Sequence, residues 1–393
     1  MKCFIRGLSL KGGAPRSLFE YVKALSIYGY ESVVLSSEGD SELEKKYRKF
    51  VKEVLIRKSP AKLWDEGKHL LVYKELLWEY KYIKKNNPDL IITLGEINGA
   101  FYTRISKALG IPLIICIPGG ELNTHPKAME LWDNCEVICF SRENAEAICP
   151  YYSSTHINVI SNRIKINAVF DDLYEHYVIN QSEINILIVS RISKEKVRSI
   201  YSLLNHLKVI SCEETNINVK IAGDGSELAK INDFVGTLNN SFLRVNMLGH
   251  INDLTEEFRW AHIIAGKGRS VIEPIMMNRI GCVIGEDGKL AFCNTRTFDN
   301  LYHFNFAGRN IEIEDSEKLL INMIDSIRYG KVDIKEILET AKNVSTYYST
   351  DYLPEKLEKV LAKLPQKSTE HRIPLLWLQY LRFICKKVKG KFK

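Results

Sequence analysis

Residues 261–288, AHIIAGKGRSVIEPIMMNRIGCVIGEDG, decide how the rest of the chain is interpreted. The apolar run His262–Ala265 leads into the loop Gly266-Lys267-Gly268-Arg269-Ser270, and a second apolar run follows at Gly281–Ile284. Between them, a short amphipathic segment is predicted to open as a helix at Glu273-Pro274, because proline suits the first turn, where its missing N–H costs nothing. The pattern predicts a strand, a glycine loop, a helix and a strand.

Such a loop is suited to binding anions. Small residues let backbone N–H groups approach a phosphate, and the start of a helix adds the positive end of its dipole. A carboxylate at Glu273 is favourable at a helix start and can accept hydrogen bonds from vicinal hydroxyls. A phosphate site beside a hydroxyl-binding acid favours a nucleotide, although glycine loops at helix starts also occur in proteins that bind none.

The composition is that of a globular protein with room for two domains. The chain has 393 residues, of which 45% are hydrophobic and 26% charged. No apolar run reaches the roughly 20 residues of a membrane span, and MKCFIRGLSL at the N-terminus is too short in its apolar part for a signal peptide. We therefore expect a cytoplasmic protein. The nine cysteines include no Cys-x-x-Cys pair, so no metal site is expected.

The excess positive charge lies at the C-terminus. The formal net charge is +7, and residues 371–393 alone contain two arginines, five lysines and no acid. This distribution argues against a general nucleic-acid-binding surface. Because the same stretch contains the apolar run IPLLWL (373–378), it fits a basic amphipathic helix on an anionic membrane surface. A helix packed back against the protein is the alternative.

The first half of the chain predicts one doubly wound α/β domain. Strands are predicted at 2–8, 31–36, 90–94, 112–117, 136–140 and 156–160, with helices at 16–28 and 100–109. The strand–helix–strand order implies a parallel sheet with right-handed crossovers. Residues 40–86 are expected to be charged and helical, with Trp64 and Trp78 packing elements together.

A second doubly wound domain follows an irregular polar segment. Strands predicted at 184–189, 219–222 and 245–248 end in the loops 190–196, 223–225 and 249–253. Ligands of such sheets bind beyond the carboxyl ends of the strands, where these loops lie. The organisation predicted is an N-terminal domain at 1–165, a connection at 166–183, a C-terminal domain at 184–365 and a basic tail at 366–393.

Four motifs together resemble those of the retaining GT-B glycosyltransferases of family 4, from the first strand to about residue 360. They are KGGAPRSLFEYVKAL (11–25), similar to the family's N-terminal glycine loop; ILIVSRISKEK (186–196), similar to its GRL-x-x-x-K strand end; VKIAGDGSEL (219–228), similar to its G-x-G turn; and VNMLGHINDLTEEFRWAHI (245–263), similar to the segment that follows. They occur in the family's order and approximate spacing. The resemblance implies the GT-B fold, an α/β architecture of two doubly wound Rossmann-like domains facing a cleft.

The resemblance also implies roles for the matching residues. Arg191 and Lys196 would bind the donor pyrophosphate and offset the charge that develops on the leaving group. Glu273 would be the second acid of the family's paired-Glu motif and would hold the ribose hydroxyls. The remaining candidates are Gly268, Arg269 and Ser270 for backbone N–H groups on the phosphates, Gly12 and Gly13 bordering the phosphate from the N-terminal side, His250 and Ile251 beside the base, and Glu121 and His125 in the N-terminal catalytic loop.

One position departs from the family pattern. The first acid of the pair, which touches the transferred sugar in the family, is expected at position 266, where this chain has Gly266. However, GKGRSVIE (266–273) together with HFNFAGR (303–309) resembles a branch of the family that also lacks this acid. A variant site is therefore favoured over an inactive one.

The activity that the resemblance implies is metal-independent transfer of a sugar, with retention, from a UDP- or GDP-linked donor to an acceptor hydroxyl. It further implies bacterial surface polysaccharide or glycolipid synthesis, a glycan or lipid-linked acceptor, and peripheral attachment to the inner face of the membrane through 371–393. No cofactor besides the donor and no nucleic acid are expected. Two alternatives stay open: a GT-B nucleotide-sugar epimerase, and a catalytically inactive membrane-surface protein of the same fold.

Overall fold

The structure is a computed structural model that describes residues 1–7, 13–37, 41–119, 122, 126–211, 216–238, 240–285, 287–311 and 315–368. The chain divides into two units. The first unit contains Met1–Arg163 and the residues from Thr350 onward, and the second unit contains Ile164–Ser349. None of the helices in these described ranges is long and apolar enough to cross a membrane.

Seven parallel strands form the sheet of the first unit. They are β1 (Lys2–Arg6), β2 (Glu31–Ser36), β3 (Glu53–Ile56), β4 (Leu90–Leu94), β5 (Leu113–Ile117), β6 (Glu136–Cys139) and β7 (Ile157–Val159), in the spatial order β3-β2-β1-β4-β5-β6-β7. The central strands β4 and β5 are buried along their whole length because helices cover both faces of the sheet.

The helices of the first unit that precede the second are α1 (Gly13–Ile27), α2 (Ser41–Arg48), α3 (Pro60–Asp65), α4 (His69–Asn86), α5 (Glu96–Leu109), α6 (Pro126–Met129) and α7 (Arg142–Ile148). Alternate side chains of each strand enter different cores. Ile5 and Ile92 pack on the side of α1, whereas Phe4 and Ile91 pack on the side of α4 and α5. This alternation follows from the two-residue period of a strand.

A buried ion pair fixes α4 against this sheet. Arg6, at the end of β1, and Glu79, in α4, are both fully buried, and Arg6 Nε lies 3.4 Å from Glu79 Oε1. Tyr102 Oη donates to Glu79 Oε2 at 2.7 Å, and Arg6 Nη2 donates to the carbonyl oxygen of Lys58 at 2.8 Å. Burial raises the pKa of Glu79, although the neighbouring Arg6 opposes the rise. Because separating a buried pair leaves an uncompensated charge, the rotation of α4 about its own axis is set by this contact.

The second unit is built on a sheet of six strands. They are β8 (Glu183–Val189), β9 (Asn216–Ala222), β10 (Leu243–Gly249), β11 (Ile263–Gly266), β12 (Ile280–Ile284) and β13 (Leu290–Phe292), in the order β10-β9-β8-β11-β12-β13. All neighbouring pairs are parallel except β12 and β13, which are antiparallel.

The helices of the second unit are α8 (Leu173–Tyr177), α9 (Val197–Ile210), α10 (Leu228–Leu238), α11 (Thr255–Trp260), α12 (Arg269–Met276), α13 (Phe298–His303), α14 (Ser316–Arg328) and α15 (Ile334–Tyr348). Short 3₁₀ helices of the first unit lie at Ser154–His156 and Thr350–Tyr352. The order of both sheets reverses once, between β1 and β4 in the first unit and between β8 and β11 in the second. Crevices for ligands form at such reversals, beyond the carboxyl ends of the strands.

The last helix, α16 (Leu353–Leu361), belongs to the first unit. Leu353, Leu357 and Val360 form one apolar stripe and are buried with residues of α1 and β1. Lys356 Nζ donates to Asn162 Oδ1 at 2.6 Å. This differs from the predicted C-terminal domain at 184–365, because the spacing of apolar residues identifies an amphipathic helix but does not reveal which core accepts its apolar face.

The predicted connection at 166–183 also differs from the structure. It contains α8, whose Leu173 and Tyr177 are part of the core of the second unit. Arg279, which is only 1% exposed, anchors the same segment through hydrogen bonds from Nη2 to both carboxylate oxygens of Asp172, at 2.7 and 2.9 Å. Two strands, β3 and β13, were not predicted. Both are short, and β3 is an edge strand among charged helices, where apolar periodicity has too few residues to be recognised.

A buried histidine gives the second unit a specific pH dependence. His262 is 4% exposed, and its Nδ1 accepts a hydrogen bond from the N–H of Asn185 at 2.9 Å. Burial is the main cause that lowers the pKa of His262 to about 3, and the charges of His176 and Arg279 lower it further. The folded protein therefore holds this ring neutral.

We expect His262→Asn to reduce the loss of stability in mild acid. Below about pH 6.5 the unfolded chain binds a proton at this histidine, whereas the folded chain does not. The contribution of the neutral ring to the free energy of unfolding is therefore complete above that pH and falls as the pH drops toward 3. Asparagine offers an amide oxygen as acceptor but does not titrate. Between about pH 7 and about pH 5.5, the free energy of unfolding in urea should fall by about 1 kcal/mol more for the wild type than for the variant. Equal losses would contradict the lowered pKa.

Candidate functional site

Three loops meet at the carboxyl edge of the second sheet, beside its reversal point. The N–H of Ser190 donates to the carbonyl oxygen of Ala222 at 3.1 Å, and that of Ile192 donates to Asp224 at 2.9 Å. The N–H of Gly223 donates to the carbonyl oxygen of Gly249 at 2.8 Å. The loops that follow β8, β9 and β10 are thus joined to one another by backbone hydrogen bonds.

Glycine is required where these loops approach each other. A side chain at Gly223 would overlap the carbonyl oxygen of Ser190, and a side chain at Gly225 would overlap that of Ile192. Because backbone atoms cannot move aside as the end of a flexible side chain can, larger residues are excluded at both positions. The G-x-G turn is therefore a packing requirement of this edge.

The glycine loop lies on the other side of the reversal point, after β11. Its helix begins earlier than predicted: α12 starts at Arg269, directly after Gly268, which has a φ of 60°. Pro274 is inside the helix and Glu273 is in its second turn, so the predicted start at Glu273-Pro274 is wrong. The physical reason is that a glycine at positive φ lets the chain turn into the helix at once. Proline is favoured in a first turn but is not confined to it.

The loop leaves two helix-opening N–H groups available. The N–H of Gly268 donates to the carbonyl oxygen of Phe306 at 2.7 Å, so it is not available to a phosphate in this structure. The N–H of Lys267 is bonded to Ser270 Oγ at 3.2 Å. For the N–H groups of Arg269 and Ser270, no acceptor is found among the described residues. An anion placed at the start of α12 would meet these two donors.

A strained segment supports the glycine loop from the side. Asn305, Phe306 and Asn310 have φ values of 52°, 55° and 52°, and Gly308 has a φ of 76°. A positive φ is uncommon for a bulky aromatic residue, so the contacts around Phe306 must stabilise its backbone conformation. The Phe306 side chain is fully buried, 5.8 Å from Tyr348 between ring centroids, and its carbonyl oxygen holds Gly268.

In sequence, this segment resembles a branch of a family, but its pattern predicts no role beside the loop. Asparagine and glycine at 305, 308 and 310 were the available signal, because these residue types tolerate the left-handed conformation. Gly308 lies against β12: a side chain there would meet the carbonyl oxygen of Ile284 at 2.6 Å. The segment therefore lies beside the carboxyl ends of β11 and β12, and Arg309 is the residue after Gly308.

Glu273 and Arg269 form an ion pair at this edge. Arg269 Nε lies 3.2 Å from Glu273 Oε2, and the two side chains are 31% and 25% exposed. A pair this exposed contributes no more than about 1 kcal/mol. The carboxylate predicted to hold ribose hydroxyls is thus engaged by a neighbour, but a ligand could exchange that partner at small cost.

The structure places the other predicted site residues as follows. Arg191 is exposed, two residues after the end of β8, and Lys196 is half-buried immediately before α9. His250 follows β10, with Nε2 3.1 Å from Asn252 Oδ1, and Ile251 beside it is half-buried. Gly13 is the first residue of α1 in the first unit. Gly12, Glu121 and His125 lie outside the described residues. The structure therefore brings the Arg191–Lys196 loop, His250 and the glycine loop to one edge of one sheet.

Comparison with known proteins supports the fold. No protein-family model and no curated protein sequence matches the chain. Solved structures match almost its whole length. HepE of Anabaena in complex with UDP is 14% identical, with 93% of this chain and 100% of that chain covered and a TM-score of 0.66. A glycosyltransferase from Rickettsia africae ESF-5 is 19% identical over 92% of this chain and 98% of that chain, with a TM-score of 0.67.

The lipopolysaccharide outer core galactosyltransferase WaaB is 16% identical over 92% of this chain and 99% of that chain, with a TM-score of 0.61. These neighbours are GT-B glycosyltransferases. The chain has the GT-B fold. Identities this low establish the fold alone, so the chemistry of this GT-B protein must be argued from its own residues.

The GT-B fold of this chain has no space for an acid at position 266. Gly266 ends β11, and a side chain there would begin 2.7 Å from the carbonyl oxygen of Val189 and 2.5 Å from Ser270 Oγ. Val189 is the strand partner of Gly266 across β8 and β11. The departure from the family pattern is therefore built into the backbone packing.

We expect Gly266→Glu to destabilise the protein without increasing its activity. The new side chain would crowd Val189 and Ser270, and overpacking of this kind costs about 1–3 kcal/mol. Gly236→Ala is the control, because Gly236 lies inside α10 with nothing within 4 Å of the added carbon. It should stabilise by about 0.5–1 kcal/mol. Thermal unfolding and a transfer assay measure both effects; a more active Gly266→Glu protein of unchanged stability would show that our account of this position is incorrect.

Proposed function

We propose that the protein is a retaining glycosyltransferase of the family 4 type, which moves a sugar from a nucleotide-sugar donor to an acceptor hydroxyl. One observation carries the proposal: the Arg191–Lys196 loop and the open start of α12 meet at the reversal point of the second sheet. Cations and uncommitted N–H groups at such a point suit a diphosphate. The GT-B fold supports a transferase of this kind.

The donor diphosphate would lie between the loop after β8 and the start of α12. There, Arg191 and Lys196 would supply charge from one side, and the N–H groups of Arg269 and Ser270 would donate from the other. Both sets of groups would stabilise the negative charge that grows on the leaving nucleoside diphosphate as the glycosidic bond breaks. This role requires no metal ion, and we propose a UDP- or GDP-linked donor, with the base near His250 and Ile251.

Donor binding would rearrange the Arg269–Glu273 pair. A diphosphate at the start of α12 would attract the Arg269 guanidinium, which binds phosphate in bidentate geometry. Glu273 would then be released to accept hydrogen bonds from the ribose hydroxyls. The exposed pair has little stability to lose, so the exchange would require only a small part of the binding energy.

The transferred sugar would be held without the usual acid. With Gly266 in place of that acid, the donor sugar would be oriented by other groups at the carboxyl ends of β11 and β12. The segment Asn305–Arg309 lies beside these strand ends. The acceptor would be a glycan or lipid-linked hydroxyl presented to the first unit, where Glu121 and His125 are the proposed catalytic residues. Gly12 and Gly13 would border the donor phosphate from the same unit. We place the reaction in bacterial surface polysaccharide or glycolipid synthesis at the inner face of the membrane.

Gly266 also supports a second candidate, a catalytically inactive protein of the same fold. In that case the nucleotide site would be vestigial, and removing its charges would leave biological function intact. The two candidates differ in whether nucleotides bind, which a direct measurement resolves.

Nucleotide binding is tested by thermal shift with UDP, GDP and their sugars, with and without a chelator. A ligand present at 100 times its Kd should stabilise the folded state by about 2.7 kcal/mol. Arg191→Ala, Lys196→Ala and Glu273→Ala should each weaken that ligand roughly 10- to 100-fold, since charge-assisted hydrogen bonds contribute about 1.5–3 kcal/mol. Lys208→Ala, near the far end of α9, is the control.

If no nucleotide stabilises the protein, the inactive candidate is favoured. If a nucleotide stabilises the Lys196→Ala and Glu273→Ala variants as much as it stabilises the wild type, the protein binds nucleotides but the proposed donor site is incorrect. A shift abolished by chelator would contradict metal independence.

The C-terminal residues 371–393 are proposed to bind an anionic membrane surface. Their seven basic residues and the apolar run 373–378 favour this reading. Deleting 371–393 should lower cosedimentation with vesicles that contain phosphatidylglycerol and leave the thermal unfolding of the rest of the chain unchanged. Vesicle binding that persists at the wild-type level would exclude this role for the tail.

A further inference from the structure

Helix α4 has a well-defined inward face. Val72, Glu79 and Ile83 are buried, and Glu79 is held by Arg6 and Tyr102 as described above. These three positions follow the spacing of a single helical stripe. Because the buried ion pair sets the rotation of the helix, the opposite stripe must face away from the sheet.

That outward face is cationic and partly apolar. One side of a helix is shared by a given residue and those that lie four, seven, eleven and fourteen or fifteen positions after it. From Leu70 they are Lys74, Leu77, Lys81, Lys84 and Lys85. All four lysines are exposed. Leu70 is 68% exposed, and Leu71, next to it in the sequence, is 37% exposed.

No acid balances these lysines on the same face. The helix has two acids. Glu79 is buried. Glu75 accepts two hydrogen bonds from Arg57, one from Arg57 Nε to Glu75 Oε2 at 2.8 Å and one from Arg57 Nη2 to Glu75 Oε1 at 3.2 Å. The outward face therefore presents uncompensated positive charge together with exposed leucine.

The combination selects one class of partner. A nucleic acid or an acidic protein surface would pair with the lysines but offers little to the exposed Leu70. An anionic lipid surface satisfies both, because its headgroups attract lysine and its interface accepts apolar side chains. The charge pattern and the exposed leucines thus favour a membrane over a macromolecule in solution.

The course of the chain agrees with this choice. Lys367 Nζ donates at 3.0 Å to the carbonyl oxygen of Asn87, the residue that follows α4. The N–H of Ser368 donates to the carbonyl oxygen of Gly110 at 2.9 Å. The basic C-terminal residues therefore follow a point beside the end of α4. Like charges oppose a contact between those residues and the lysines of α4, so the tail is a poor occupant of this face, whereas one anionic surface could attract both.

We propose that the outward face of α4, Leu70, Lys74, Leu77, Lys81, Lys84 and Lys85, docks on an anionic phospholipid surface. This contact is additional to the one proposed for residues 371–393 and does not depend on the donor site. It would place the first unit, rather than the tail alone, against the membrane.

The test is cosedimentation of the full chain with vesicles of phosphatidylcholine and phosphatidylglycerol, and with vesicles of phosphatidylcholine alone. The test variant is Lys74→Gln, Lys81→Gln, Lys85→Gln. Its matched control is Lys318→Gln, Lys335→Gln, Lys342→Gln, which makes the same change in net charge at exposed positions of α14 and α15. Exposed lysine and glutamine have similar helix propensity, so both variants should fold, as circular dichroism and thermal unfolding would verify.

We expect the α4 variant to bind the anionic vesicles roughly 100-fold more weakly than the control variant, since each lysine near such a surface contributes a factor of about five. Leu70→Gln should weaken binding most clearly at high salt, where the lysine contributions are screened. Equal binding by the two triple variants would overturn the proposal and leave this face to a soluble acidic partner. Wild-type binding to phosphatidylcholine alone at the same strength would overturn it too.

Discussion

The candidate site depends on how closely the backbones of β8, β9 and β11 and the loops that follow them approach one another. The carbonyl oxygens of Val189, Ser190 and Ile192 lie against Gly266, Gly223 and Gly225, respectively, and leave no room for a side chain at any of the three. This crowding joins the loops into one edge and places the start of α12 beside them. It also explains why the position expected to hold an acid holds glycine. One steric constraint therefore joins the loops at this edge and leaves no space for a side chain at position 266.

The elements that depend on local pattern were predictable from the sequence. Buried parallel strands are continuous apolar runs, and most were placed within two or three residues of their observed bounds, as at 31–36 and 90–94. The glycine loops also lie at the predicted strand ends. These features could be predicted because strand burial and glycine turns depend on neighbouring residues, and two doubly wound sheets follow from the order of the elements. The GT-B fold itself was implied by the motifs that resemble the family.

What could not be predicted depends on contacts between residues distant in the chain. The hydrogen bond from the Gly268 N–H to the carbonyl oxygen of Phe306 joins two segments that the sequence pattern does not relate. The same is true of the buried Arg6–Glu79 pair, because nothing in KCFIR or in the lysine-rich helix α4 indicates that these two charges meet. Such contacts decide which N–H groups and which helix face remain available to a ligand.

The position of α16 has a consequence for how the protein is made. Leu353, Leu357 and Val360 complete a core whose other members come from the beginning of the chain. Domains generally fold as they leave the ribosome, the N-terminal one first. Here the first unit cannot close that core until the whole second unit has been synthesised. The part of α1 that α16 covers therefore stays exposed through most of translation, and exposed apolar surface of this kind favours aggregation of the nascent chain.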